Sequence, residues 1–292
     1  MKDPIGLIGI GLVGTALAEH LLKADYPVVG FDIVPDKCLS LERMGGKAVS
    51  SPCQVATEVK RVFLSLMDTD VVREVVTGPD GILQSSQLPR TLIDTTTGDP
   101  EETTRLANLL RSKGIFFLDA PVSGSSDQIR KREGVVMVGG DPKAYEECRD
   151  LFQTVARDFF YLGPSGSGSK AKLASNLILG LNRLVLAEGL IFAECLGLDL
   201  RAFLSLIKKT PAYSCAMDVK GLKMIEEDFT PQSRISQHHK DLELILRYAE
   251  KFGQPLPLGR LHQTILESSI KARDGELDNA AVIRQIRRLG KK

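Results

Sequence analysis

The chain has 292 residues, which bounds it at about two domains. It is 43% hydrophobic and 26% charged, with a formal net charge of +1, so no overall field draws it to nucleic acid or to an anionic membrane. The basic run Arg130-Lys131-Arg132 is too short to change that and reads as a solvated loop. Cys38, Cys53, Cys148, Cys195 and Cys215 form an odd set with no Cys-x-x-Cys pair, which argues against a disulfide framework and a zinc site. The opening MKDPIGLIGIG lacks the charged-then-apolar layout of a signal peptide, and the expected compartment is the reducing cytoplasm.

In chain order, residues 5–9 read as a short buried strand that runs into Gly9-Ile10-Gly11-Leu12-Val13-Gly14. A helical pattern follows to about Lys23, and a second apolar run, 28–31, ends on Asp32. Strand, glycine turn, helix, strand and acid in this order form a dinucleotide fingerprint. Gly9 permits the turn, Gly11 lets backbone approach a pyrophosphate, and Gly14 allows close helix–strand packing. The pyrophosphate would rest on the helix N-terminus, where unpaired N–H groups favour an anion. Asp32 would accept from the adenosine ribose and repel a 2′-phosphate, which favours NAD over NADP.

Alternation continues with strand-like 61–66, a helix near 70–76, strand-like 91–94, a helix over 101–112, and strand-like 115–118 and 135–138. This pattern predicts a parallel, doubly wound α/β sheet of Rossmann type over residues 1–162. Ligands of such sheets bind beyond the carboxyl ends of the strands. Three stretches lie there: Leu66-Met67-Asp68, Asp94-Thr95-Thr96-Thr97-Gly98, and Asp119-Ala-Pro-Val-Ser123-Gly124-Ser125. In the third, the Ser123 hydroxyl and backbone N–H groups could hold a carboxylate; each stretch alone is equally compatible with ordinary turn chemistry.

From 163 onward the pattern is helical throughout: one long segment, 163–198, then stretches at 199–209, 214–227, 238–252, 257–273 and 279–288. The expected second domain, 163–292, is therefore all-α, joined to the first by the long central helix. That helix does not read as membrane-spanning, because Lys172, Asn176, Arg183, Glu188 and Glu194 interrupt it. Lys172 and Asn176 are four apart and share one face. They read either as the wet end of a core helix or as a catalytic pair.

Other chemistries are set aside. His20, His238, His239 and His262 show no metal-ligand spacing, so no metal is expected. No Gly-x-Ser-x-Gly elbow marks an esterase. Residues 163–170 lack the Gly-Lys-Ser/Thr ending of a phosphate loop, since Ser169 separates Gly168 from Lys170.

Taken together, these motifs resemble the β-hydroxyacid dehydrogenase family. It includes 3-hydroxyisobutyrate dehydrogenases, tartronate semialdehyde reductases and L-threonate dehydrogenases, with 6-phosphogluconate dehydrogenase more distant. The resemblance covers Ile5 to about Ile286 and rests on four motifs: residues 6–14, 119–124, 163–172 and the pair Lys240-Asp241. It implies cofactor contacts at Gly9, Ile10, Gly11, Leu12, Val13, Gly14, Asp32, Leu66, Met67, Thr97, Lys240 and Asp241. It implies substrate contacts at Ser123, Gly124, Ser125, Lys172 and Asn176, with Lys172 rather than Lys170 as the catalytic lysine. Met67 stands where the family usually has proline, Ser175 replaces the first of two asparagines, Ser125 replaces a glycine, and the loop to Gly134 is longer.

The function expected is reversible NAD-dependent oxidation of a small 3-hydroxy acid to its 3-oxo acid or semialdehyde. Lys172 would exchange the hydroxyl proton and Asn176 would hold the hydroxyl or Lys172 itself. To accept a proton the ammonium needs a lowered pKa, which burial and a nearby cation such as Lys240 favour. Ser123 and the Gly124 and Ser125 amides would grip the carboxylate. The competing readings are a reductase of a related oxo or imine substrate, against which Lys172 argues, and a non-catalytic nucleotide sensor or scaffold. A homodimer or homotetramer is expected, with no nucleic-acid or membrane partner.

Overall fold

The computed structural model describes residues 2–290, and the chain divides into two compact units, Met1–Lys172 and Leu173–Lys292. The first is built on six parallel strands: β1 (Ile5–Ile8), β2 (Val28–Phe31), β3 (Lys47–Ala48), β4 (Arg61–Leu64), β5 (Thr91–Asp94) and β6 (Phe116–Asp119). Their order is β3-β2-β1-β4-β5-β6, the doubly wound arrangement in which the strand order reverses between β1 and β4. Strands β1 and β5 are buried along their whole length, as expected where helices cover both faces.

The helices of this unit are α1 (Leu12–Lys23), α2 (Pro35–Arg43), α3 (Pro52–Glu58), α4 (Thr69–Thr77), α5 (Pro100–Ser112), α6 (Ser126–Arg130), α7 (Pro142–Glu147) and α8 (Arg149–Val155). Several begin on a side chain that satisfies otherwise orphaned N–H groups. Asp68 accepts from Val71 N, and Asp99 accepts from the amides of Glu101 and Glu102 ahead of α5.

One expected strand sits elsewhere than the alternation suggests. Residues 135–138 form β8 (Val135–Val138) of a separate three-stranded sheet, between β7 (Val122–Ser123) and β9 (Asp158–Tyr161). β7 and β8 are antiparallel, so β8 is reached by a doubling back after β6 rather than by a helical crossover. A bridge between Asp119 and Gly139 links the end of β6 to this sheet.

Helix α9 (Ser167–Cys195) contributes its first residues to the first unit and the remainder to the second. The second unit continues with α10 (Leu200–Ile207), α11 (Cys215–Ile225), α12 (Ile235–Lys251), α13 (Pro257–Lys271) and α14 (Val282–Leu289). Leu184, Leu186, Ala187 and Leu190 of α9 are buried in one core with Leu242 and Leu246 of α12, Leu266 of α13 and Ile283 of α14. In the same unit Lys220 donates to both Asp278 carboxylate oxygens, at 2.7 and 2.9 Å, with both side chains enclosed. Asp278 also accepts from the amides of Gln232, Ser233 and Ala280, tying the chain before α12 to the turn before α14.

Candidate active site

The glycine turn has the shape a dinucleotide requires. Gly9 takes φ of 91°, and a Cβ there would lie 2.2 Å from the Ser65 carbonyl oxygen. Gly14 packs its Cα against the same turn, since a Cβ would lie 2.0 Å from the Gly9 carbonyl oxygen. Above Gly11 the space is open, with nothing within 4 Å of the position a Cβ would take. Helix α1 starts there without a side-chain cap and without an acidic residue in its first turn. Its leading N–H groups are thus left for an anion, and the residues present fit a bound pyrophosphate.

Asp32 does more than the sequence reading assigned to it. Its Oδ2 accepts from Ile10 N at 2.7 Å and its Oδ1 from Val34 N at 2.8 Å. The carboxylate therefore fixes the glycine turn as well as the start of the loop after β2, and each oxygen retains a lone pair for a ribose hydroxyl. Ile33, next in the chain, is 86% exposed.

The loops after β4 and β5 are tied together. Leu66 N donates to Thr96 Oγ1 at 3.1 Å, and Thr96 N donates to Asp94 Oδ1 at 2.9 Å. Thr97 is half-buried beside them, while Met67 is exposed. Burial pushes the Asp94 carboxyl up to about 7, against the lowering by Thr96, with neighbouring Asp119 adding to the rise.

At the end of β6, Asp119 is buried and its carboxylate faces the start of α9. Oδ1 accepts from Gly166 N and Oδ2 from Ser169 N, each at 2.8 Å. Burial raises the Asp119 pKa, and these two N–H groups oppose the rise without cancelling it. Lys172, one turn further along α9, is 7% exposed and donates to the Val122 carbonyl oxygen at 2.7 Å. Lys170 points into solvent.

Ser123 is half-buried in β7, and Gly124 has φ of 150°. Ser125 is already engaged. Its N donates to Gln128 Oε1 at 2.9 Å and its hydroxyl accepts from Gln128 N at 3.3 Å, a capping box that starts α6. Of the two amides expected to grip a carboxylate, the Ser125 amide is thus taken up by Gln128 in this conformation.

In the second unit, Asn176 Nδ2 donates to Asp241 Oδ2 at 3.0 Å, and both residues are buried. The Lys240-Asp241 motif, which implies a cofactor contact at Asp241, carries no signal for this pairing. Lys240, beside it in α12, is half-buried. His238 and His262 lie with ring centroids 5.2 Å apart, and burial, with Arg183 and His239 nearby, pushes His262 down to about 4. Among the described residues no group of three or more His, Cys, Asp or Glu side chains is placed to hold a metal ion.

Comparison with known proteins agrees with this geometry over nearly the whole chain. The family model of the NAD binding domain of 6-phosphogluconate dehydrogenase matches residues 4–163. The model described as NAD-binding of NADP-dependent 3-hydroxyisobutyrate dehydrogenase matches residues 166–286. The chain is 32% identical over 286 residues to 2-hydroxy-3-oxopropionate reductase of Escherichia coli (strain K12), covering 97% of this chain and 96% of that protein. It is 30% identical over 281 residues to 2-(hydroxymethyl)glutarate dehydrogenase of Eubacterium barkeri, covering 96% and 93%. The crystal structure of a 3-hydroxyisobutyrate dehydrogenase from Salmonella typhimurium superposes with a TM-score of 0.88 at 25% identity, covering 97% of this chain and 99% of that one. The chain therefore belongs to the 3-hydroxyisobutyrate dehydrogenase, or β-hydroxyacid dehydrogenase, family of NAD(P)-dependent oxidoreductases.

Proposed function

We propose that the protein catalyses reversible, NAD-dependent oxidation of a small 3-hydroxy acid to its 3-oxo acid or semialdehyde, with Lys172 as the proton-transfer group. The observation that carries this reading is the buried Lys172 amino group bonded to the Val122 carbonyl, next to Ser123 in the same strand-end motif. Two of the relatives are named for acids in which a hydroxymethyl or aldehyde carbon is attached to the carbon beside a carboxylate, the skeleton of a 3-hydroxy acid or its semialdehyde.

In the forward direction the carbinol carbon gives up a hydride and its hydroxyl gives up a proton. The nicotinamide of bound NAD supplies the hydride acceptor. Lys172 as the neutral amine accepts the proton and becomes the ammonium, which in the reverse direction donates it to the carbonyl oxygen. Val122 O holds the Nζ end in place between turnovers. Asn176, whose amide is oriented by Asp241, keeps its carbonyl oxygen for the substrate hydroxyl or for Lys172. Ser123 and the Gly124 amide bind the carboxylate, with Ser125 contributing once Gln128 releases it.

Residues 9–14 hold the pyrophosphate and Asp32 the adenosine ribose, while Leu66, Met67, Thr97, Lys240 and Asp241 complete the cofactor contacts. NAD is preferred over NADP because Asp32 carries a negative charge and the exposed Ile33 offers hydrocarbon where a 2′-phosphate needs a cation. We place the enzyme in the cytoplasm, a compartment that suits its five free thiols. We also propose a homodimer or homotetramer: Ile178, Val185 and Phe192 recur every seven residues along α9 and are exposed, an apolar seam suited to a second helix.

The test is NAD reduction with 3-hydroxyisobutyrate, L-threonate, D-glycerate and 2-(hydroxymethyl)glutarate, run on wild type and Lys172→Ala. Loss of the positioned acid/base group should lower kcat roughly 10²–10⁴-fold while NAD affinity, measured by calorimetry, stays the same. Near-normal turnover by Lys172→Ala would refute the assignment.

A further inference from the structure

The strand-end motif begins with an aspartate that the expected cofactor and substrate contacts leave without a task. We propose that Asp119 is a positioning residue: its carboxylate clamps the first turn of α9 and thereby sets where Lys172 presents its ammonium. This rests on the reading of Lys172 as the proton-transfer group.

Four observations converge. Asp119 is 1% exposed, so its charge is withdrawn from water and is compensated by specific donors. Those donors are the Gly166 and Ser169 amides, each at 2.8 Å, on separate carboxylate oxygens. They belong to the N-terminal turn of a long helix, where N–H groups lack intrahelical partners and an anion is favoured. The backbone of Asp119 is itself fixed, since its N–H and C=O exchange bonds with Gly139 at 3.0 and 2.8 Å. Finally, the turn has no room to slide: a Cβ on Gly168 would lie 2.3 Å from Met137 O and 2.4 Å from Asp119 O.

Lys172 follows Ser169 by three residues, close to one helical turn, so it rises on the same face as the clamped amide. Its Nζ then returns to Val122 O, three residues after Asp119. The motif and the helix thus close a ring, Asp119 to Ser169 to Lys172 to Val122. A shift of the first turn would move the Cα of Lys172, which lies in the next turn of the same helix, and with it the reach of Nζ to Val122 O. Ser123 follows Val122 directly in the chain, so the same contact ties Lys172 to the start of the Ser123-Gly124 segment.

Asp119→Asn tests this. Its amide oxygen can keep one backbone bond, but the NH₂ end meets a second N–H donor and cannot accept from it. Activity is measured with NAD and whichever of 3-hydroxyisobutyrate, L-threonate, D-glycerate and 2-(hydroxymethyl)glutarate turns over fastest, in both Lys172 and Lys172→Ala backgrounds. Residual turnover in the latter is read with methylamine added as a diffusible proton-transfer group. The expected result is a loss in kcat of at least about tenfold in the Lys172 background, at unchanged NAD affinity. On Lys172→Ala the same change should cost less than about twofold, because the group being positioned is already gone.

An equal loss in both backgrounds shows that Asp119 merely supports the fold and overturns the proposal. Unaltered kcat for Asp119→Asn beside a crippled Lys172→Ala overturns it while leaving the role of Lys172 intact. A fully active Lys172→Ala overturns the reading of Lys172 and the proposal with it. If Asp119→Asn does not fold, amide exchange in the unaltered protein decides: Gly166 and Ser169 N–H should be far slower than that of Ser165, and equal rates refute the clamp.

Discussion

Asp94→Asn should make the protein more stable above neutrality and remove a specific part of its pH dependence. The side chain is enclosed at the end of β5, and burial raises its pKa from 3.8 to about 7. Between those values the folded protein holds a proton that the unfolded chain releases, so stability attributable to Asp94 falls as pH rises. The neutral acid is the form the fold accepts. Each tenfold change in proton affinity is worth 1.36 kcal/mol, so the rise makes the full penalty about 4 kcal/mol, reached once pH exceeds the folded value. From pH 5 to pH 8 the wild type should lose roughly 3 kcal/mol through this residue that Asp94→Asn retains. Thr96 N can still donate to the Asn Oδ1, so the substitution removes the charge and keeps the bond. Urea unfolding of both proteins at pH 5, 6, 7 and 8 measures the effect as the difference between the two curves. A difference that is flat across this range, or that shrinks as pH rises, refutes the argument.

Two further outcomes follow from other parts of the molecule. Lys220→Met leaves the Asp278 carboxylate buried without its paired ammonium and should destabilise the protein by about 3–5 kcal/mol in urea unfolding; a loss below about 1 kcal/mol would show that the backbone amides and the field of Arg183 suffice. For the cofactor, Asp32→Ser combined with Ile33→Arg should shift the ratio of kcat/KM for NADP over NAD upward by at least about tenfold, equivalent to about 1.4 kcal/mol. Because Asp32 also holds Ile10 N, the affinity for both cofactors should weaken, and an undiminished NAD affinity would deny Asp32 its part in fixing the turn.

The strand, glycine turn and helix are legible in sequence because their parts are local. Gly9, Gly14 and Asp32 each do a job set by the strand–turn–helix unit they belong to, and that unit is contiguous. The positions of Lys172 and Asn176 on one helix are legible for the same reason, through the spacing of four. What resists reading is contact between distant segments. Asp119 meets Gly166 and Ser169 across 47 and 50 residues, and nothing in the local pattern of either stretch names the other. Asn176 and Asp241 are 65 residues apart, so the motif that implies a cofactor contact at Asp241 does not disclose what the side chain bonds. The strand at 135–138 was recognisable as a strand, yet its sheet was not, because membership depends on the two-residue β7 whose length carries no periodic signal. The engagement of Ser125 with Gln128 could have been found: serine followed three residues on by glutamine, at the start of a short helix, is a capping signature.

The sharing of α9 between the two units has a bearing on where the chain could be divided. A fragment ending at residue 162 would contain the whole six-stranded sheet and the glycine turn, and by content alone would pass for a complete nucleotide-binding module. It would also keep Asp119 while discarding Gly166 and Ser169, leaving an enclosed carboxylate stripped of its donors. A fragment carried to residue 172 retains both amides and the helical turn that bears them. The compact unit built on the sheet is therefore longer than the sheet, because the start of the helix that follows supplies two hydrogen bonds to the carboxylate at the end of its last strand.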